Sequence, residues 1–278
     1  MKLREIYSTD KTVISFEVFP PKSEPEKLLK ETAILANHNP AFISLTYGAG
    51  GNENKSFNLL KNIKNAGINV MPHFTCITSS KENIEKDIKK LTELGIENIL
   101  ALRGDIPQDK SLMKHDFHYA NELVSFIKEK TNLSVGVAGY PEGHIESPDL
   151  KTDIDNLKRK VDAGADVIFT QLFFENGFFF DYVNRVRDAG ITIPVIAGIM
   201  PVISKKQVNK MTSMANISIP KKLKEALEKY PDNALLEFGI EFASEQCRGL
   251  IKENVKGLHF YTLNKSYSTD KILNNIKE

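Results

Sequence analysis

Residues 149–174 read DLKTDIDNLKRKVDAGADVIFTQLFF, a helix pattern followed directly by a strand pattern. One apolar stripe runs along the charged helix at helical spacing, formed by Leu150, Ile154, Leu157 and Val161. Gly164 is expected to end the helix, because glycine adopts a left-handed backbone without a Cβ penalty. The run 166–174 is apolar nearly throughout, which is typical of a parallel strand covered on both faces. The segment therefore predicts one helix–strand unit of an α/β fold.

Strand patterns of this kind recur along the whole chain. They are TVISFEVFP (12–20), AFISLTY (41–47), NVMPHFTC (69–76), NILALRG (98–104), SVGVAGYP (134–141), DVIFTQLFF (166–174), PVIAGIMP (194–201) and GLHFYTLN (257–264). Amphipathic helix patterns lie between them, as in residues 81–95, and Gly67, Gly95 and Gly190 are expected to end three of these helices. Eight such units predict a (β/α)8 barrel, with a doubly wound open sheet as the alternative. No linker or charge block divides residues 1–278, so we expect one domain.

One interval departs from this alternation. Residues 202–256 lie between the seventh and eighth strand patterns and are too many for one βα unit. They carry three helix patterns: SKKQVNKMTSMA (204–215), PKKLKEALEKY (220–230) and NALLEFGIEFASEQCRGLIKEN (233–254). The sequence therefore predicts extra helices between strands seven and eight.

Composition argues against several classes of protein. Lysine and arginine number 37 against 36 aspartates and glutamates, a formal charge of +1, whereas nucleic-acid binders usually carry a basic excess. No apolar run reaches the roughly 18 residues of a spanning helix, and residues 1–10 lack a signal peptide's apolar stretch. Two cysteines, Cys76 and Cys247, are too few for a disulfide scaffold or a four-cysteine metal site. We expect a cytoplasmic protein without nucleic acid, membrane span or metal.

Polar residues stand at or near the carboxyl ends of most predicted strands, where barrel enzymes place their active sites. They are Glu17, Thr46, Tyr47, His73, Arg103, Asp105, Tyr140, His144, Gln171, Thr262, Asn264 and Lys265. Each has a structural alternative: Glu17 could pair with an arginine, His73 could be a core histidine, and Gln171 could brace a loop. As a set they indicate a site for a polar ligand with several rings.

A bound phosphate would need an anchor that the glycine-rich run GAGG (48–51) does not provide. That run lacks the dinucleotide fingerprint, and the chain has no P-loop motif. The helix pattern at 149–164 carries a polar stripe of Asp153, Asn156 and Lys160, with Arg159 beside it. Taken alone, this stripe is more typical of a solvated helix face.

The strand ends together resemble a known family. The ordered fragments are SFEVFPPKSE (15–24), SLTYGAGG (44–51), PHFTC (72–76), LRGDIP (102–107), GYPEGH (139–144), NLKRKVDAGAD (156–166), FTQLFF (169–174) and HFYTLN (259–264). In this order they closely resemble the methylenetetrahydrofolate reductase family, from about residue 12 to residue 265. The resemblance implies a (β/α)8 barrel that binds FAD at its strand ends. It also implies reduction of 5,10-methylenetetrahydrofolate to 5-methyltetrahydrofolate, usually with NAD(P)H as donor, in one-carbon metabolism and methionine biosynthesis.

The resemblance also implies roles for individual residues. Glu17 matches the family's catalytic acid, Asp105 matches a carboxylate between flavin and pterin, and Gln171 matches an amide that binds folate and meets the nicotinamide. The positions that match FAD contacts are Thr46, Tyr47, Ala49, His73, Arg103, Gly104, Asp105, Tyr119, Ala120, Tyr140, His144, Asp153, Asn156, Arg159 and Lys160. Arg159 and Lys160 thereby become expected diphosphate contacts.

Three substrate positions depart from the bacterial pattern. Phe179 stands where a folate-contacting tyrosine is expected, and Lys265 replaces an arginine, which loses the bidentate fork for a carboxylate. Met211 aligns with a phenylalanine that stacks on the nicotinamide. The chain ends soon after strand eight, so we expect the catalytic barrel only, without the regulatory domain of eukaryotic members or control by S-adenosylmethionine.

The implied mechanism is ping-pong hydride transfer through FAD. Protonation of folate N10 opens the ring of the substrate and leaves a cation that accepts hydride, with Glu17 as the acid and Asp105 as an electrostatic support. Phe16, Val18 and Phe19 flank Glu17 in sequence, and we expect desolvation to hold its proton near neutral pH. Strand alternation supports this only partly, because it turns Phe16 and Val18 to the opposite face.

Two rival functions use the same residues. One is a flavin-free barrel enzyme, an aldolase or a pterin-binding methyltransferase, that uses Glu17 and Arg103 on another substrate. The other is a flavin- or folate-binding subunit that receives electrons only from a partner protein. A homo-oligomer is expected in either case.

Overall fold

Eight parallel strands close into a barrel in chain order, and β1 pairs with β8 to complete it. The computed structural model describes residues 1–21, 23–46, 53–215 and 217–277. The strands are β1 (Val13–Val18), β2 (Ile43–Thr46), β3 (Val70–Thr75), β4 (Asn98–Leu102), β5 (Ser134–Gly139), β6 (Val167–Leu172), β7 (Val195–Ile199) and β8 (Gly257–Tyr261). All eight predicted strands are confirmed, each slightly shorter than its sequence pattern. The closed barrel excludes the open-sheet alternative.

Helices surround the barrel. They are α1 (Leu3–Ile6), α2 (Pro25–Ala36), α3 (Glu53–Asn65), α4 (Lys81–Glu93), α5 (Ala120–Lys130), α6 (Leu150–Asp162), α7 (Asn176–Asp188), α8 (Lys205–Ala215), α9 (Lys221–Lys229), α10 (Asp232–Lys252) and α11 (Tyr267–Asn275). The predicted extra helices between strands seven and eight are confirmed as α8 and α9, which precede α10. The four glycines expected to end helices all have positive φ: Gly67, Gly95, Gly164 and Gly190. No helix among the described residues is long and apolar enough to cross a membrane.

Strand alternation decides which side chains reach the barrel interior. On β1, Phe16 and Val18 are fully buried in the apolar layer between strands and helices. Ser15 and Glu17 therefore point inward, where Ser15 meets His259 of β8. The apolar residues next to Glu17 in sequence thus build the outer core and do not surround its carboxylate.

The amino-terminal end of the barrel is closed by α1. Leu3, Ile6 and Tyr7 form one apolar cluster with interior residues that include Met71 and Phe169. The ring of Tyr7 meets that of Phe169 edge-on, with 6.2 Å between centroids. The cluster leaves the carboxyl end of the barrel as the place for a site.

Candidate active site

Glu17 lies at the carboxyl half of β1 beside two histidines. Its Oε2 atom is 3.7 Å from Nε2 of His73 on β3 and 3.9 Å from Nε2 of His259 on β8. Both imidazoles are almost fully buried, whereas the Glu17 side chain remains 24% exposed. Ser15 fixes the far side of His259 with 2.8 Å between its Oγ and Nδ1. Glu17 therefore faces the barrel mouth from a polar, histidine-lined wall.

This wall sets the protonation of Glu17. Burial by itself raises the pKa of the carboxyl, but the positive charges that His73 and His259 can carry outweigh it and leave the pKa below its usual value. The expectation that desolvation holds the proton on Glu17 is therefore wrong for the protein without substrate. The physical reason is that histidines, and not phenylalanines, surround the carboxylate. Burial also lowers the pKa of His73, against the attraction of Glu17.

A cavity of about 490 Å³ opens between the ends of β4 and β5 and the helices α5 and α6. It gathers nine residues that the sequence predicts to bind FAD: Arg103, Tyr119, Ala120, Tyr140, His144, Asp153, Asn156, Arg159 and Lys160. The polar stripe of α6 thus faces this cavity, while Ile154 and Leu157, on the adjacent face of the helix, pack into the core. Asp149 is the N-cap of α6, and its carboxylate accepts the Thr152 N–H at 2.7 Å.

Lys160 reaches inward from α6 to the floor of this cavity. Its Nζ donates to the Ala138 carbonyl at 2.6 Å and lies 5.6 Å from the centre of the Tyr140 ring. Burial lowers the pKa of Lys160 to about 8, although Asp153 opposes the shift. Burial raises the pKa of Asp153, whose carboxylate accepts the Ser147 hydroxyl at 3.2 Å. The cavity therefore holds a lysine whose positive charge would be stabilised by an anion bound beside it.

Arg103 makes a bidentate ion pair with Glu146 in the same cavity. Nη1 and Nη2 donate to the two carboxylate oxygens at 2.5 and 2.7 Å, and Nε donates to the Gly104 carbonyl at 3.1 Å. The hydrogen bonds from Arg103 lower the pKa of Glu146. Arg159, in contrast, makes no ion pair with any residue that the structure describes, so it is the cation most available to a ligand.

A second cavity of about 820 Å³ adjoins the first and shares Leu102, Arg103, Tyr140 and His144 with it. Thr46, Gly104 and Asp105, three of the predicted cofactor residues, line this second cavity. Asp105 is exposed there. Thr46 is the register partner of His73, so the cavity approaches the wall that holds Glu17.

Gln171 stands at the end of β6, partly buried. Its Oε1 accepts the Leu172 N–H at 2.9 Å. The amide nitrogen makes no hydrogen bond to a described residue, so both of its N–H groups are free for a ligand.

The other predicted substrate residues lie apart from these cavities. Phe179 on α7 is 2% exposed and stacks on Phe173 with 5.3 Å between centroids, so its ring belongs to the core and faces neither cavity. Met211 on α8 packs on an apolar cluster that includes Leu172 of β6. The Lys265 side chain is exposed and makes no hydrogen bond or ion pair with a described residue. Tyr47 and Ala49 lie outside the described residues.

Sequence reasoning missed two residues of this region. His259 belongs to the fragment HFYTLN and lies two positions before Tyr261, so strand alternation alone would have turned both residues inward. Glu146 follows His144 in a loop, and no pattern in the sequence connects it with Arg103. Within the described part of the chain, no group of three or more histidines, cysteines or acids is arranged to hold a metal ion.

The residues present fit FAD. The first cavity offers Arg159 and Lys160 to a diphosphate and the ring of Tyr119, 62% exposed, to a flat group. Nε2 of His73 is buried without a hydrogen-bond partner among the described residues, 3.7 Å from the Glu17 carboxylate. The fold and these features define a (β/α)8-barrel protein with a candidate ligand site at its carboxyl mouth, where cations line one of two adjoining cavities and a carboxylate–histidine cluster lies on the inner wall of the barrel.

The sequence assigns the family. Residues 2–277 match the family described as methylenetetrahydrofolate reductase, and the chain belongs to it. It is 37% identical to the 5,10-methylenetetrahydrofolate reductase of Escherichia coli (strain K12), over 91% of this chain and 86% of that protein. It is also 37% identical to methylenetetrahydrofolate reductase (NADH) 1 of Arabidopsis thaliana, over 99% of this chain and 50% of that protein. The chain thus spans about half the length of the plant relatives that it matches.

Solved structures share the fold at low sequence identity. A Clostridium thermocellum protein described as binding two copies of 5-methyl-5,6,7,8-tetrahydrofolic acid superposes with a TM-score of 0.72 and 14% identity, over 99% of this chain and 96% of that chain. Dihydropteroate synthase from Thermus thermophilus superposes with a TM-score of 0.52 and 12% identity, over 97% of this chain and 95% of that chain. At these identities the likeness is one of architecture.

Proposed function

We propose that the protein reduces 5,10-methylenetetrahydrofolate to 5-methyltetrahydrofolate with bound FAD, and that Glu17 donates the proton to folate N10. The single observation that carries this proposal is the position of Glu17: an inward carboxylate at the barrel mouth, within 4 Å of two histidines. Family membership supplies the reaction, and the geometry supplies a reason for the acid to work there.

The histidine wall lets Glu17 both lose and regain a proton. With water present, His73 and His259 favour the carboxylate. A folate that covers the mouth removes the remaining water from the 24% exposed side chain, and this desolvation raises the pKa of Glu17 toward the range of a useful acid. After donation, a shift of about 1 Å would bring the Nε2 of either imidazole, 3.7 or 3.9 Å away, within hydrogen-bonding distance to return a proton to the carboxylate.

The cofactor would lie along the two adjoining cavities. FAD, when bound, would supply the hydride chemistry of the reaction. Arg159 and Lys160 would hold its diphosphate, while Asp105 at the edge of the second cavity would stabilise the cationic folate. The direct donor is proposed to be NADH, as in the names of the plant relatives, and a partner subunit is the alternative. Cytoplasmic location, a single domain and a homo-oligomer stay predictions.

The proposal is tested with the purified chain alone. We expect a yellow protein that releases about one FAD per chain on denaturation, bleaches when NADH is added without oxygen, and recovers its colour with methylenetetrahydrofolate. A colourless protein that does not bind added FAD would favour a flavin-free barrel enzyme and contradict the proposal. In a third outcome, NADH does not reduce the flavin, but methylenetetrahydrofolate reoxidises flavin that dithionite has reduced. This result would leave the folate reaction intact and favour an electron-donating partner.

A further inference from the structure

Strand β6 changes register immediately before Gln171 reaches the barrel mouth. Phe169 pairs with Ile196 of β7, but Leu172 pairs with Gly198, so β6 has one residue more than β7 in this interval. Such a β-bulge bends its strand and increases the local twist, so it sets the position and angle of the residues that it contains. The bulge spans the predicted folate-binding glutamine.

Two hydrogen bonds tie the bulge to the neighbouring strands. The Thr170 hydroxyl accepts the Gly198 N–H of β7 at 2.9 Å. The Tyr261 hydroxyl of β8 donates to the Thr170 carbonyl at 2.6 Å. Thr170 is fully buried, so the two bonds satisfy a hydroxyl and a carbonyl that water does not reach.

Gly198 is needed for this close approach. A Cβ atom at position 198 would lie 2.2 Å from the Thr170 carbonyl oxygen and 2.8 Å from the Tyr261 ring. The added atom would clash with a backbone carbonyl on one side and with a packed ring on the other, and the two cannot both move aside. The β7 glycine thus leaves the space in which Thr170 and Tyr261 meet.

We propose that Thr170, Gly198 and Tyr261 form a clamp that fixes the β6 bulge and thereby holds Gln171 in position at the barrel mouth. Thr170 and Tyr261 are positioning residues that act through Gln171, whose amide nitrogen is left free for the ligand. This inference rests on the proposed function, in which Gln171 contacts folate.

The kinetic test is a double-mutant cycle on flavin reoxidation by methylenetetrahydrofolate. Tyr261→Phe keeps the ring but removes the donor, and should lower kcat/KM roughly three- to tenfold, the range expected for one hydrogen bond. In a Gln171→Ala background the same substitution should change kcat/KM by less than about twofold, because its target is gone. The inference would be overturned if the double variant lost kcat/KM by the product of the two single losses. It would also be overturned if Tyr261→Phe reacted like the wild type.

Matched variants separate positioning from general damage. Tyr230→Phe makes the same substitution in the apolar cluster of α9 and α10, where the hydroxyl bonds to no described residue, and should leave the rate unchanged. Thr170→Ser keeps the hydroxyl and should restore most of the rate that Thr170→Val loses. Equal losses in Thr170→Ser and Thr170→Val would contradict a role for the hydroxyl.

Hydrogen exchange tests the clamp without any turnover. In Tyr261→Phe, the backbone amides of Leu172 and Gly198 should exchange at least about threefold faster, while β2 and β3 stay unchanged. Unchanged exchange at both amides would overturn the clamp even in an active enzyme. A wild-type protein that never reacts with methylenetetrahydrofolate would refute the proposed function and the positioning of Gln171 for folate, and the exchange rates would still decide whether the clamp exists.

Discussion

At the scale of single residues, the site depends on charges that offset one another. Burial alone would raise the pKa of Glu17, yet His73 and His259 lower it below the usual value. Arg103 is held by Glu146, whereas Arg159 has no carboxylate partner among the described residues. A ligand that brings its own charge into these cavities therefore changes the protonation of several groups at once.

The lowered pKa of Lys160 predicts that the affinity for FAD depends on pH. Its pKa, lowered by burial to about 8, means that the amine is mostly charged at pH 7 and mostly neutral at pH 9. A diphosphate binds the charged form better, so the affinity for FAD should be greatest below pH 8. It should then fall by up to about tenfold per unit as the pH rises above that value. Fluorescence titration of the apoprotein between pH 6.5 and 9.5 measures this.

The control for that titration is Lys160→Arg, which keeps the charge throughout the range. Its FAD affinity should vary little with pH. A wild-type profile as flat as that of Lys160→Arg would mean that Lys160 does not contact the cofactor.

Residues of the site could be predicted from the sequence only where they stand out as polar positions in an apolar strand. Glu17 and Gln171 were visible because polar residues interrupt apolar strands. His259 shares the inward face of β8 with Tyr261, yet a single histidine there looks like a core residue. Glu146 was invisible, because its role depends on how a loop folds back over Arg103.

At the scale of elements, glycines decide how closely chains approach. Gly239 lies within α10, where a Cβ would meet the Val202 carbonyl at 2.1 Å. Gly198 does the same between β7 and the β6 bulge. Neither requirement is visible in sequence, since both depend on a neighbour distant along the chain. The helices themselves were predictable, because their apolar stripes follow the helical period.

Gly239→Ala should destabilise the protein although alanine favours helices. The gain in helix propensity is about 1 kcal/mol, whereas overpacking against Val202 costs about 1–3 kcal/mol. The midpoint of urea unfolding should therefore fall. Gly177→Ala on α7 is the control, because a Cβ there meets nothing within 4 Å and the midpoint should stay or rise. A rise in both variants would contradict the packing of α10 on Val202.

Met211 on α8 provides a test of the donor site. If it stands where relatives use an aromatic ring on nicotinamide, Met211→Phe should lower the KM for NADH in flavin reduction, by about 0.5–1.5 kcal/mol of binding. Met214→Phe, on the same helix but 58% exposed, is the control and should have no effect. An unchanged or higher KM in Met211→Phe would place the nicotinamide elsewhere.

At the scale of the whole molecule, alternation of strands and helices determined the barrel. Eight apolar runs with helix patterns between them left few other arrangements, and the extra helices α8 and α9 were visible as an overlong interval. The closure of the amino-terminal end by α1 was not predicted, because four residues carry no detectable helical period. The sequence pattern thus predicts the barrel itself, whereas the closure of its amino-terminal end is visible only in the structure.

Cofactor binding should stabilise this whole barrel, because the proposed FAD contacts join the ends of β4 and β5 to α5 and α6. At an FAD concentration about 100 times its Kd, the folded state should gain about 2.7 kcal/mol. Differential scanning calorimetry of the apoprotein with and without FAD measures the rise in Tm. An equal rise with riboflavin, which lacks the diphosphate, would contradict the roles of Arg159 and Lys160.

The most direct test of the central claim is the separation of the two half-reactions in Glu17→Gln. The amide keeps the size of the side chain but cannot donate a proton, and the loss of a general acid costs about 10²–10⁴ in rate. The variant should still bind FAD and still bleach with NADH at nearly the wild-type rate. Its reduced flavin should fail to reoxidise with methylenetetrahydrofolate while still passing electrons to a quinone. Reoxidation by the folate at the wild-type rate, or equal losses in both half-reactions, would contradict Glu17 as the acid.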